Sequence, residues 1–181
     1  MKPIPTIAAP ILIDTVPATG HHLRITPANA ERRAIAEAYG LKDVKAFVAD
    51  VDLIREDRDT VLLEGHVVAT IVQACVVSLE PVEQIIDEQF TVRIAAADSP
   101  KAPKPDRPGA EVHVDPDVEV PEISEDGRIN VGALVLEYFA LAIDPYPRAA
   151  GAEVPDSFRD AAKDESDSPF AALSKILETD R

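Results

Sequence analysis

The run Val131-Gly-Ala-Leu-Val-Leu-Glu-Tyr-Phe-Ala-Leu-Ala-Ile143 constrains this chain more than any other stretch. It is apolar almost all round, and Glu137 is its only charge. Asn130 is placed to cap a helix over 130–143, and Asp144-Pro145 stops it, because Pro145 restricts Asp144 and cannot continue the ladder. Such a helix must be covered on most of its sides. It is well short of the roughly 18 apolar residues of a membrane span, so the reading is a core helix lying across a sheet. Glu137 is then either solvent-facing at a seam or buried and paired, and the favoured partner is Arg148 just past the helix end.

Three period-two segments supply the sheet. The first runs about 44–54, with Phe47, Ala49, Val51 and Leu53 on one face. The second is long, about 60–77, with Val61, Leu63, Val67, Ala69 and Ile71 opposite Glu64, His66 and Thr70; Gly65 marks a bulge in it. The third runs about 84–96, through Ile86, Phe90, Val92 and Ile94. They form an antiparallel meander. Upstream, residues 7–16 read as an edge strand interrupted by Pro10, and His21-His22 as a solvated loop pair. A helix follows, capped by Thr26, with Pro27 in its first turn and Gly40 at its end.

The expected fold class is α+β: an antiparallel β-sheet or partly open barrel packed against a buried apolar helix, with a short C-terminal helix. Residues 1–150 form one domain. Within it, 98–109 hold four Pro and one Gly and read as an exposed loop, and 110–121 as a broken edge strand. Residues 151–167 are an acidic flexible tether. Residues 168–181 are a short helix whose Phe170, Leu173, Ile176 and Leu177 share a face. That face docks on its own sheet or on a partner.

Charge narrows the function. The formal net charge is -15. Residues 1–49 carry six Lys/Arg against four Asp/Glu; residues 50–181 carry twelve against twenty-nine. Nucleic-acid binding works by neutralising phosphates with cations, which this balance opposes at long range. Its field favours basic partners. A small basic set remains as a possible RNA contact: Lys101, Lys104 and Arg107 in the Pro-rich loop, with Arg32 and Arg33 on the first helix.

No catalytic signature is present. A single Cys excludes a disulfide framework and a four-cysteine zinc site. Cys75 reads as a small buried core residue. There is no Gly-rich phosphate loop, Gly-x-Ser-x-Gly elbow or His-Glu-x-x-His motif. Asp50 and Asp52 could pair as carboxylates for metal-dependent nuclease chemistry, yet acids at a hairpin end are normally solvated. No cofactor and no metal are expected. Pro3, Pro5, Pro10 and Asp14 break the N-terminal apolar stretch too often for a secretory signal, so the expected compartment is the cytoplasm.

Three stretches together carry a family resemblance. They are Gly65-His-Val-Val-Ala-Thr-Ile-Val-Gln-Ala-Cys75-Val-Val-Ser-Leu-Glu80-Pro81; Asp126-Gly127-Arg-Ile-Asn-Val-Gly132 through Glu137 to Leu141-Ala-Ile-Asp144-Pro145-Tyr146-Pro147-Arg148; and Ser168-Pro169-Phe170-Ala-Ala-Leu173. In order and spacing the chain resembles the YceD family of large ribosomal RNA subunit accumulation proteins, in an alphaproteobacterial form. The resemblance implies a non-enzymatic bacterial factor for synthesis, processing or stability of large-subunit ribosomal RNA. Charge then selects its partner, a basic ribosomal protein or precursor particle. The matching positions are Gly65, Cys75, Leu79, Glu80, Pro81, Gly127, Gly132, Glu137, Leu141 and Phe170, read mainly as fold determinants. Many members have Cys-x-x-Cys-Leu-Glu-Pro where this chain has Ser78 as the second thiol position.

Overall fold

Alternation of buried and exposed residues along the long strands builds the scaffold. The computed structural model describes residues 4–100 and 120–153. The basic residues Lys101, Lys104 and Arg107, all but the last two residues of the strand expected over 110–121, the acidic tether beyond Glu153 and the last helix with Phe170 lie outside the described residues; Val120 and Pro121 are not in a strand.

In chain order the elements are β1 (Ile11–Leu12), a 3-10 turn (Ile13–Thr15), β2 (His21–Ile25), α1 (Asn29–Tyr39), β3 (Asp43–Arg55) and β4 (Thr60–Ala74). β5 (Pro81–Ala96), β6 (Glu122–Ser124), β7 (Arg128–Ile129) and α2 (Val131–Leu141) follow. One five-stranded sheet has the order β2-β3-β4-β5-β6. Its first four strands are antiparallel, as the meander requires, and β6 pairs parallel with β5 through Ile94↔Glu122 and Ala96↔Ser124. β1 and β7 form a separate antiparallel pair. The sheet is mixed and does not close into a barrel.

Several local expectations are corrected. His21 and His22 belong to strand β2, paired with Leu53 and Asp52. The strand expected over 7–16 shrinks to Ile11–Leu12. Gly65 is no bulge: it pairs in register with Val51 and Phe90, and the irregularity of this ladder falls between Val44 and Ala46. α1 is capped at Ala28, whose N–H donates to Glu31 Oε2 at 2.6 Å, so Thr26 and Pro27 precede the cap. Gly40 ends α1 in the left-handed conformation, as expected.

Both helices cover the same face of the sheet. Val51, Leu53, Val61, Leu63, Val67 and Ile71 on that face are fully buried. Ile35 of α1 joins them, and from α2 so do Val131, Val135, Leu136 and Phe139. The Phe139 ring stands edge-on to Phe47 at 5.1 Å and to Tyr39 at 5.7 Å. Full burial of such a ring contributes roughly 1.5–3 kcal/mol. Asn130 caps α2 as expected, its Oδ1 accepting the Ala133 N–H at 3.2 Å. The helix is less enclosed than its composition suggests. It buries one broad face, and Leu141 at its end is 75% exposed, because only one sheet packs against it.

Candidate functional site

Among the described residues, most of the family-motif positions fall at two places along α2, and Gly65 lies apart in the middle of β4. The first is the β4–β5 connection. Cys75 has no exposed surface. Its Sγ accepts three backbone N–H groups: Val77 at 3.4 Å, Ser78 at 3.3 Å and Ala149 at 3.3 Å. The Ala149 N–H, followed by the side chain and backbone of Ser78, holds the thiol down at about 6, against burial that pushes it up. The Val76 N–H donates to Pro147 O at 2.9 Å, so the connection grips the segment that follows α2. Leu79 closes the turn with a φ of 62° and is 70% exposed. Its carbonyl accepts Lys42 Nζ at 2.8 Å. The Cys75 N–H donates to Glu80 O at 2.7 Å, and Pro81 opens β5, where a missing N–H is tolerated.

The C-terminal end of α2 is pinned nearby. Gln84 Nε2 donates to Ala142 O at 2.8 Å, and its Oε1 accepts the Asp144 N–H at 3.0 Å. Gln73 Nε2 donates to Asp144 O at 2.8 Å.

The second place is a crevice between β6, β7 and the N-terminal half of α2. Its volume is about 170 Å³. Ile94, Ile129 and Leu134 line it with Glu122 and Glu137. Burial and the neighbouring Glu137 charge push the Glu122 carboxyl up. Burial, then Glu122 and Glu137, do the same to the Tyr138 hydroxyl. The Tyr138 ring stacks on Phe90 with centroids 4.1 Å apart. Glu137 therefore lies at an exposed seam facing another acid, and the expected ion pair with Arg148 is not formed. Gly127 turns β6 into β7 with a φ of 67°, which favours glycine, and its carbonyl accepts the Ile13 N–H at 2.9 Å. Gly132 lies under the N-terminal segment, where an added Cβ would come within 3.0 Å of Ala8 N.

The remaining sequence candidates are dispersed. Arg32 is spent on its own helix: it donates to Pro27 O at 2.9 Å and to Asn29 Oδ1. Arg33 is exposed on α1. Asp50 and Asp52 lie on the sheet face opposite the helices. His22 Nδ1 is 2.9 Å from Asp52 Oδ1, Arg24 donates to Asp50 Oδ1 at 3.3 Å, and His66 Nε2 is 2.7 Å from Asp87 Oδ1. Among the described residues no group of three His, Cys, Asp or Glu is placed to hold a metal ion, and no helix is long and apolar enough to cross a membrane. Sequence reasoning did not anticipate Glu122, whose role depends on the parallel pairing of a three-residue strand.

No curated protein and no solved structure matches the chain. The family model described as Large ribosomal RNA subunit accumulation protein YceD matches residues 63–177. That match spans more than half of the sequence and includes both the Cys75–Pro81 turn and the Glu137 seam, and the chain belongs to the YceD family, named for accumulation of the large ribosomal RNA subunit.

Proposed function

We propose that this protein is a non-enzymatic ribosome-biogenesis factor of the bacterial cytoplasm. It supports synthesis, processing or stability of large-subunit ribosomal RNA by binding a basic ribosomal protein or a precursor particle. Family membership supports the process. The observation that carries the mode of action is the net charge of -15, with carboxylates in the crevice at Glu122 and Glu137, in a hollow at Asp50, Asp52 and Glu64, and in another at Asp14, Asp59, Asp98 and Asp126. Such a surface repels a phosphate backbone and attracts cationic segments.

Sedimentation tests this. The protein should travel with precursor particles from growing cells and show little binding to protein-free ribosomal RNA at physiological salt. An RNA-contacting role would instead show tight binding with a log–log salt slope of about -2 to -4, as three or four phosphate contacts give. It would be abolished by changing Arg32, Arg33, Lys101, Lys104 and Arg107 to Ala.

A further inference from the structure

We propose that the open edge of β5 is a docking site for an extended basic segment of a partner protein, which joins the sheet as an added strand. This deepens the basic-partner reading above and rests on it. β5 pairs with β4 along its length, from Pro81↔Ala74 to Ala95↔Thr60, without a break in register. On its other side β6 reaches only Ile94, Ala95 and Ala96. Among the described residues no strand, turn or loop backbone group bonds to residues 81–92 on that side. Alternate residues of a paired strand aim their N–H and C=O groups away from the partner, so this stretch presents a regular row of donors and acceptors.

Long edges are normally blunted by a bulge or by lysines. The β4–β5 ladder has no bulge, β5 contains no Lys, and Pro81 blocks only its first position. Its side chains suit an added strand. Ile85 is 73% exposed, and Glu83 and Asp87 flank it on the same face of the sheet. An incoming strand that alternates apolar and cationic residues covers Ile85 and sets its cations beside the acids. The charge of the edge selects this occupant. β5 carries Glu83, Asp87 and Glu88 against Arg93, and Arg93 is held by Glu56 through bonds of 2.7 and 2.9 Å. A second copy pairing edge to edge would set like charges opposite one another. An RNA strand is repelled and has no peptide ladder to match. The other edge of the sheet differs in both respects: β2 is five residues long and carries His21, His22 and Arg24 with no acid.

The full chain would be titrated with the peptide Lys-Val-Lys-Val-Lys-Val, followed by backbone amide exchange. The expected result is protection of amides within residues 82–92. N-methylating alternate peptide bonds of the ligand removes ladder donors and keeps its charge, and should weaken binding at least about tenfold. Glu83→Gln with Glu88→Gln should weaken binding by about threefold to tenfold. Asp14→Asn with Glu125→Gln removes equal charge at exposed positions outside β5 and should change binding less than about twofold. Equal binding of the methylated peptide, or equal weakening by both charge pairs, would show a diffuse field and overturn the edge site. Equal binding of Glu-Val-Glu-Val-Glu-Val would overturn the basic occupant. Protection of 82–92 that rises with protein concentration alone would put a second copy on the edge, and protection by an oligoribonucleotide would put RNA there; either overturns the proposal. Particle sedimentation of the unaltered protein runs alongside. Its failure sinks the partner reading whatever the peptide does, and a peptide that leaves 82–92 unprotected sinks the edge alone.

Discussion

Gly65 and Phe90 are direct cross-strand partners, and the Phe90 ring lies over Gly65 where a side chain would otherwise stand. A Cβ at Gly65 would overlap Cζ, Cε1 and Cε2 of that ring. The ring cannot swing clear, because Tyr138 stacks on its other side. Gly65→Ala should therefore destabilise the fold by about 1–3 kcal/mol, the usual cost of overpacking. Adding Phe90→Leu should recover part of the loss, since the two sites are coupled. Chemical denaturation of the two single variants and the double variant measures this; strictly additive losses would contradict it.

Cys75 should make stability depend on pH. In the unfolded chain a thiol titrates near about 8.5; in the fold Cys75 titrates at about 6. The fold thus favours the thiolate. Its contribution is complete above the unfolded value, declines as pH falls, and is lost on passing below the folded one. The melting-temperature gap between the native protein and Cys75→Ala should be wider at about pH 9 than at about pH 5.5. A gap independent of pH would show that the three N–H donors do not favour the charged form.

Leu79 occupies a backbone region that disfavours side chains, while most of its own side chain is in water. Leu79→Gly should leave stability unchanged or raise it by up to about 1 kcal/mol. Leu79→Val should lower it by about 1 kcal/mol, because β-branching is poorly tolerated at positive φ. Thermal melts of both variants check the order.

Burial first, and the Glu137 charge in addition, push up three neighbours: Tyr39, Glu122 and Tyr138. Glu137→Gln should lower all three titrations together. For Glu122 the sign is that a raised carboxyl opposes folding once ionised, so the variant should gain stability at neutral pH relative to acid pH. Side-chain NMR titration of Glu122 reads the shift directly. An unmoved Glu122 would separate the two acids.

Legibility in the sequence follows the range of the interactions. β3, β4 and β5 were readable because each sets a run of buried residues against polar neighbours over many positions. β2 was hidden: within His21–Ile25 only Ile25 is buried, so the strand carries almost no apolar signal. β6 is three residues long and its parallel partner is far away in sequence. The placement of β6 by that pairing also explains the misreading of Glu137. Arg148 is its neighbour along the chain, yet β6 brings Glu122 to it instead. Cys75 was correctly read as buried, but its third N–H donor comes from Ala149, 74 residues on, and no local pattern encodes that.

The strand glutamines that hold the end of α2, Gln73 of β4 and Gln84 of β5, have a consequence for how this fold chooses one arrangement. Apolar burial drives the helix onto the sheet but is nearly indifferent to a small slide along the strands, since one aliphatic contact replaces another. The bonds from Gln73 and Gln84 to Ala142 and Asp144 are directional and tolerate no such slide. Removing them should leave a protein that is still collapsed but samples several helix positions, blurring the seam where Glu137 meets Glu122.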